Sequence, residues 1–369
     1  MKVLLNAPEL GLPGGVAKYC SVLRGHFKNP ISYFTVGKRG VHDGLFSKIA
    51  TTVQNYGRFL RALSGVELVQ LNPSLGSRAV IRDGVFLLLA KLRGKKVVVF
   101  FHGWDDSCEA RIRRHFLCPF GLVYFRADTI IVLASVFKEK LVAMGYRKEI
   151  HVETTTVELE MFPHGASALA ARRENERSGG LQILYLSRIE KEKGIYQAID
   201  SYALLTGRCP GARLTVVGDG SELAAARDYV AARGIAGVQF KGYLSGMAIR
   251  EAFAAADVYL FPTWHGEGLP ISVLEAMVFG LPVLTRPVGG IADFFEEGRM
   301  GFLLESKDPA LWAGKLEQLA GDREALLAMG EYNHRYAAGR FSPDHVVRRL
   351  EAIYETVSAG ARELPRSPL

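Results

Sequence analysis

Short apolar runs alternate along the chain with longer stretches of mixed polarity. In the first half these runs predict six strands: Lys2–Ala7, Ile31–Val36, Glu67–Leu71, Lys96–Phe101, Thr129–Ala134 and Glu149–Thr155. In the second half they predict six more: Leu181–Leu186, Arg213–Val217, Val238–Lys241, Val258–Phe261, Pro282–Leu284 and Gly301–Leu304. Nearly continuous apolar strands separated by helix-length segments are typical of parallel sheets that helices cover on both faces.

Helical patterns lie between the strands, for example over Ile195–Leu205, Glu222–Ala232 and Ala248–Ala255. The pattern therefore predicts an α/β protein with two Rossmann-like domains, 1–162 and 181–342, joined by a polar linker over 163–180. An amphipathic helix over 343–360 is expected to pack back on the amino-terminal domain. Because open parallel sheets bind ligands at the carboxyl ends of their strands, the cleft between the domains is the expected site.

Composition agrees with a globular protein. The chain has 369 residues, of which 49% are apolar and 23% charged, so a mostly disordered or low-complexity chain is excluded. Its apolar stretches fall well short of the ~18–20 residues that a membrane-spanning helix needs. The four cysteines form no CxxC pair, which favours a reduced, cytoplasmic setting.

The basic charge is concentrated in the first half of the chain. Residues 1–178 contain 26 basic and 15 acidic side chains, a net charge of +11, whereas residues 179–369 contain 20 and 23, a net charge of −3. Such asymmetry suggests an anionic partner for the basic half. Nucleic acid, anionic lipid headgroups and a phosphorylated acceptor all fit, and a basic surface kept for solubility fits the charge equally well.

Two glutamates flank a turn into a predicted helix after the strand that ends at Phe261. Glu267 and Glu275 are eight residues apart, roughly two helical turns, so both carboxylates can face one ligand. Carboxylates suit sugar hydroxyls, and free backbone amides around Gly268–Ile271 suit an anion. A glutamate pair alone is more often part of a solvated helix face, but the Gly-Leu-Pro sequence after Glu267 favours a binding site.

Two cations follow the first strand of the second half. Arg188 and Lys193 are five residues apart in a strand-to-helix loop and can converge on one diphosphate. Taken alone this is a charged loop, and its place at a strand end is what favours the phosphate interpretation. Glycines at Gly14–Gly15 and Gly218 also follow strands, but no sequence matches GxGxxG or a Walker loop.

His102 ends an apolar strand at the predicted cleft edge. A lone histidine in such a place is more often structural than catalytic. Asp105-Asp106 is not a DxD motif, and no cluster of histidine, cysteine and carboxylate residues has metal-ligand spacing, so no metal is expected.

Together these motifs resemble the retaining GT-B glycosyltransferases of family four (GT4), of the bacterial surface-polysaccharide type. The shared motifs are Glu267-x7-Glu275 within EGLPISVLEAM, Arg188-x4-Lys193-Gly194, Gly14-Gly15-Val16, Pro287–Ile291 and Val157–Phe162. The resemblance covers nearly the whole chain and is far more specific in the second half. It implies the GT-B fold, in which two Rossmann-like domains face each other across a cleft.

The resemblance also implies roles for individual residues. Arg188 and Lys193 would grip the donor diphosphate, and Glu275 would bind the ribose hydroxyls. Glu267 and the segment Gly268-Leu269-Pro270 would hold the transferred sugar and the phosphate. Further donor contacts are implied for His102 on the sugar, Gly15 and Val16 in the first loop, Gly218, and Tyr243 beside the base. The residues expected to act in catalysis are His102, Arg188, Lys193 and Glu267.

The implied reaction is metal-independent transfer of a sugar, with retention, from a nucleotide-sugar that serves as substrate, a UDP-sugar first and a GDP-sugar second. No cofactor is expected. The expected partners are this donor and an anionic lipid-linked or saccharide acceptor of surface-polysaccharide synthesis, and not nucleic acid. A cytoplasmic location follows, and peripheral contact of the basic half with the inner membrane is a hypothesis.

Three alternatives stay open. A GT-B nucleotide-sugar epimerase would convert the donor without an acceptor, but its usual pattern lacks the EGLP segment. A non-catalytic nucleotide-sugar or nucleic-acid binder would not need Arg188, Lys193, Glu267 and Glu275 together. A soluble synthase of the sucrose or glycogen type fits less well with the basic amino-terminal half.

Overall fold

A computed structural model describes residues 1–11, 14–36, 45–174 and 180–360. In the helix that begins at Leu45, side chains are described from residue 53 onward. The chain divides into two compact units. The first comprises Met1–Thr156, Gly266–Leu269 and the chain from Pro343, and the second comprises Val157–His265 and Pro270–Ser342.

The first unit is a parallel six-stranded sheet with helices between the strands. Its elements are β1 (Val3–Ala7), α1 (Gly15–Leu23), β2 (Ile31–Thr35), α2 (Leu45–Ala62), β3 (Leu68–Leu71), α3 (Ser77–Leu92), β4 (Lys96–Phe101), α4 (Asp106–Arg111), a π-helical turn (Ile112–Phe116), α5 (Leu117–Tyr124), β5 (Thr129–Val132), α6 (Ser135–Ala143) and β6 (Ile150–Val152). The strand order is β2-β1-β3-β4-β5-β6. Every residue of β1, β3 and β5 is buried, as expected of a sheet covered on both faces.

The second unit repeats this architecture. Its elements are α7 (Met161–Glu174), β7 (Gln182–Leu186), a 3-10 turn (Lys191–Lys193), α8 (Ile195–Thr206), β8 (Arg213–Val217), α9 (Leu223–Ala232), β9 (Val238–Gly242), α10 (Met247–Ala255), β10 (Val258–Phe261), α11 (Ile271–Val278), β11 (Val283–Thr285), a 3-10 turn (Gly289–Ile291), β12 (Gly301–Leu303), α12 (Pro309–Gly321) and α13 (Arg323–Arg340). All its strands are parallel, in the order β12-β11-β10-β7-β8-β9.

The twelve strands predicted from the sequence are confirmed, with ends that differ by at most three residues. No helix within the described ranges is both long and apolar enough to cross a bilayer.

The last helix, α14 (Pro343–Ala359), clusters with the first unit. Its Glu351 carboxylate accepts hydrogen bonds from the backbone amides of Lys28 (2.8 Å) and Asn29 (2.7 Å). Arg349 donates to Glu153 at 2.8 Å. The apolar face of this helix is buried, so α14 is part of the first unit's core.

The predicted linker over 163–180 is wrong for most of its length. Helix α7 occupies it as far as Glu174 and belongs to the second unit, while residues 175–179 lie outside the described part of the chain. The Arg172 side chain is buried and donates to the backbone carbonyls of Ala256 (3.0 Å), Phe279 (3.2 Å) and Gly280 (3.2 Å). Arg172 thereby satisfies carbonyls at the ends of α10 and α11, where helices leave such groups without intrahelical partners.

Arg172→Met is expected to lower the free energy of unfolding by about 3 kcal/mol or more, because a buried donor to three carbonyls is lost. Arg173→Met is the matched control, since its side chain is 61% exposed and pairs with Glu331 on the surface. This control is expected to cost less than ~1 kcal/mol. Urea unfolding of the full chain measures both, and equal costs would contradict the packing role of Arg172.

Candidate active site

In the second unit the strand order reverses between β7 and β10. The chain adds β8 and β9 on one side of β7 and then returns to place β10 on the other side. Ligands of open α/β sheets bind beside such a reversal, at the carboxyl ends of the strands. Arg188 and Lys193 follow β7, and Glu275 lies on the helix that follows β10, so all three belong to this edge of the sheet.

The two predicted cations differ in their surroundings. The Arg188 side chain is 65% exposed, and its guanidinium donates to the Glu190 carboxylate at 2.6 Å. Lys193 is only 6% exposed and ends the 3-10 turn. The next residue, Gly194, has a φ of +80° and directly precedes α8, and a side chain there would overlap the carbonyl of Pro262. Glycine at 194 therefore lets the lysine loop pack directly against the end of β10.

Backbone hydrogen bonds join the loop after β7 to the loop after β10. The carbonyl of Glu192 accepts from the backbone amides of Trp264 (2.9 Å) and His265 (3.1 Å). The hydroxyl of Tyr259 bonds to the carbonyl of Leu186 and to Ser272 Oγ, each at 2.8 Å. These bonds fix the lysine loop relative to α11, on which Glu275 is buried.

Gly218 follows β8 and joins the same edge. A side chain at Gly218 would overlap the carbonyl of Ser187, so the loops after β7 and β8 are in close contact. Tyr243 does not lie at the β7–β10 edge. It follows the edge strand β9, two strands from β7, and its side chain is 73% exposed. In the described ranges Tyr243 makes no hydrogen bond or ring contact with another predicted site residue.

The glutamate turn divides between the units. Gly266–Leu269 clusters with the first unit, and Pro270 precedes the first residue of α11 in the second. A side chain at Gly268 would lie 2.8 Å from the carbonyl oxygen of His102, so a glycine is needed for this close approach. Glu267 is half-buried and Leu269 buried.

His102 lies directly after β4 in the first unit. Its ring stacks on Phe100 with a centroid distance of 4.0 Å, and Tyr19 lies on another side at 4.7 Å. Its Nε2 is 3.0 Å from Oδ1 of Asn72. Burial lowers the pKa of His102 to about 3, because an apolar surrounding disfavours the charged imidazolium. The imidazole is therefore neutral at physiological pH.

The remaining predicted residues lie at the start of α1. Gly15 is its first residue and is exposed, and Val16 is half-buried. They follow β1. The strand order of this sheet reverses between β1 and β3, so Gly15 and Val16 lie beside that reversal. Nothing in the described ranges groups three or more metal-ligating side chains.

Sequence reasoning missed the polar residues that support His102. Gln70 lies in β3 and Asn72 directly follows that strand, and their side-chain amides bond to each other at 2.8 Å. The signal was present, because Gln70 is the one polar residue of an otherwise apolar buried strand. A polar residue that is buried in such a strand needs a hydrogen-bonding partner.

The groups at this edge are of kinds that can bind an anion and a polyol. The β7–β10 edge of the second unit combines two cations with a buried carboxylate and the start of a helix. Cations and helix N-termini bind phosphates, and carboxylates accept hydrogen bonds from diols.

Part of the chain matches a family of known proteins. Residues 169–336 match the family model described as Glycosyl transferases group 1. WcaL of Salmonella typhimurium, named provisionally as a colanic acid biosynthesis glycosyltransferase, is 24% identical over 303 residues, which are 80% of this chain and 71% of WcaL. The capsular polysaccharide biosynthesis glycosyltransferase CapM of Staphylococcus aureus is 25% identical over 243 residues, 64% of this chain and 63% of CapM.

The fold has a counterpart among solved structures. The crystal structure of Anabaena Alr3699/HepE in complex with UDP superposes with a TM-score of 0.75 at 17% identity, over 96% of this chain and 100% of that one. At this identity the likeness shows the fold alone. The GT-B fold expected from the sequence is confirmed, with its two parallel six-stranded sheets.

Proposed function

We propose that this chain, of which residues 169–336 match the family model described as Glycosyl transferases group 1, transfers a sugar from a nucleotide-sugar to an acceptor hydroxyl in the synthesis of a cell-surface polysaccharide. The proposal is supported by the relatives, whose names refer to colanic acid and capsular polysaccharide. The observation that carries it is the junction of the β7 and β10 loops, which brings Lys193 and Glu275 to one edge of the second sheet.

The donor diphosphate binds Arg188 and Lys193, and Glu275 accepts hydrogen bonds from the ribose. Lys193 is suited to binding the diphosphate because its side chain is largely buried. Water and salt screen an ion pair less at a buried position than at the surface. A UDP-sugar is the preferred donor and a GDP-sugar the second. UDP in the HepE structure supports this order.

The reaction retains the anomeric configuration and needs no metal ion. As the nucleoside diphosphate leaves, negative charge develops on its phosphates, and Arg188, Lys193 and the start of α11 stabilise it. Glu267 and the Gly268–Pro270 segment hold the sugar, with His102 as a neutral hydrogen-bonding group. Glu267 is not assigned as a nucleophile, so the route differs from the covalent one of retaining glycosidases.

A thermal-shift screen tests the donor site. UDP, GDP, ADP and CDP and their sugar conjugates are compared without added metal. A ligand at ~100 times its dissociation constant stabilises the folded chain by about 2.7 kcal/mol. We expect a selective rise in melting temperature with UDP or a UDP-sugar, whereas unchanged melting with every nucleotide would overturn the proposal.

Lys193→Ala is expected to reduce turnover about a hundred- to thousandfold, because one well-placed electrostatic contact in the transition state is worth roughly 2.7–4 kcal/mol. Lys191→Ala is the matched control, since Lys191 belongs to the same turn and is exposed. Sugar transfer is assayed after circular dichroism has established that both variants fold. Full activity of Lys193→Ala would contradict the diphosphate assignment.

The peripheral membrane contact is proposed for a surface of the first unit, which we call the arginine–leucine face. It consists of the exposed residues Arg111, Arg113, Arg114, Phe116, Leu117 and Leu122 on α4, the π-helical turn and α5. Such a surface is suited to binding an anionic bilayer. The exposed apolar side chains insert into the membrane interface, and the arginines bind lipid phosphates. The net charge of +11 in residues 1–178 adds long-range attraction.

Leu122→Glu is expected to weaken co-sedimentation with phosphatidylglycerol-containing vesicles about tenfold, because a buried leucine contributes roughly 1.5–3 kcal/mol. Leu204→Glu in the second unit is the matched control, because Leu204 is 50% exposed and Leu122 is 62% exposed, but Leu204 lies outside the arginine–leucine face. Added salt is expected to weaken binding of the unaltered chain. Binding that is indifferent to lipid charge, salt and Leu122→Glu would reject the arginine–leucine face.

A further inference from the structure

A buried chain of hydrogen bonds runs from the last helix to His102 within the first unit. The hydroxyl of Tyr354 on α14 donates to Oε1 of Gln70. Nε2 of Gln70 donates to Oδ1 of Asn72 at 2.8 Å, and Nδ2 of Asn72 donates to the backbone carbonyl of Asn6 at 2.8 Å. Oδ1 of Asn72 also faces Nε2 of His102 at 3.0 Å.

The direction of every bond in this chain is fixed by one backbone group. The carbonyl of Asn6 can only accept, so the NH₂ group of Asn72 must point to it and Oδ1 must point the other way. Gln70 then has to present its own NH₂ group to Oδ1 and its oxygen to Tyr354. Rotating either side-chain amide by 180° would bring two oxygen atoms face to face. The Tyr354 hydroxyl can donate, so it is compatible with the Gln70 oxygen that it faces.

The last bond determines where the imidazole carries its proton. Oδ1 of Asn72 is an acceptor only, so the nitrogen that faces it has to donate. We propose that Asn72 is a positioning residue that holds His102 as the Nε2–H tautomer, so that Nδ1 presents a lone pair and can only accept a hydrogen bond. The ring is neutral because burial lowers the pKa of His102 to about 3, and so Nδ1 stays without a proton.

The tautomer specifies which ligand group His102 can bind. Within the described ranges, no protein group donates to Nδ1. A hydroxyl can donate to this atom, whereas a phosphate or carbonyl oxygen would be repelled by its lone pair. Resting on the proposed function, this assigns Nδ1 to a hydroxyl of the transferred sugar and excludes it as a phosphate contact.

The test is nitrogen NMR of the full chain, labelled with ¹⁵N-histidine and studied without ligand. The His102 resonances are assigned by their loss in His102→Gln. We expect a proton on Nε2 that exchanges slowly with water, and an Nδ1 resonance at the downfield position of an unprotonated nitrogen. A proton on Nδ1 at neutral pH would overturn the proposal. Since no nucleotide-sugar is present, the result is independent of whether the proposed reaction is correct.

Two variants separate the role of Asn72 from general packing. Asn72→Leu removes the acceptor, so the Nε2 proton is expected to exchange rapidly and its resonance to disappear. Tyr354→Phe also removes a buried hydrogen bond of the network but leaves Asn72 opposite His102, and the Nε2 resonance is expected to persist. Thermal unfolding establishes that each variant folds. Persistence in Asn72→Leu, or loss in a folded Tyr354→Phe, counts against the assignment.

Discussion

The hydroxyl of Tyr259 joins the two chain segments on which the proposed donor site depends. On β10, beside β7, it bonds both to the carbonyl of Leu186 at the end of β7 and to Ser272 on α11. Glu275 lies three residues after Ser272, on the same side of the helix. The buried Tyr259 hydroxyl therefore fixes the position of the Glu275 carboxylate relative to the loop that carries Arg188 and Lys193. Catalytic groups have to be positioned to within about 0.5 Å.

Each unit contains a buried polar side chain that satisfies backbone carbonyls. Parallel strands and helix termini leave backbone carbonyls without partners, and buried ones have to be satisfied. Arg172 does so at the ends of α10 and α11, and Asn72 does so at Asn6 of β1. Each of these side chains packs the backbone and also orders its neighbours. Fold stability and the geometry of the candidate site therefore depend on overlapping sets of hydrogen bonds.

The sequence predicted the strands well because a doubly covered parallel strand is apolar nearly throughout, as β5 and β10 are. It failed at α7, because the buried face of this helix includes Gly165, Ala168 and Arg172 and therefore shows no clear apolar period. The Tyr354–Gln70 bond joins residues 284 positions apart, and no local pattern encodes such a pairing. The positions of Arg188, Lys193 and Glu275 at the β7–β10 edge could be predicted because each follows its strand within one loop or one helix.

The charges of the two halves act over different ranges. The second half has a net charge of −3, so the proposed binding of a diphosphate there has to rely on local groups such as the buried Lys193. The +11 of the first half is spread over a surface, where salt at ~0.1 M screens charges beyond roughly 10 Å. A buried contact is screened much less. The proposed attraction of an anionic acceptor surface and the proposed binding of the donor are therefore expected to respond separately to ionic strength, because only the former depends on charges that water and salt can reach.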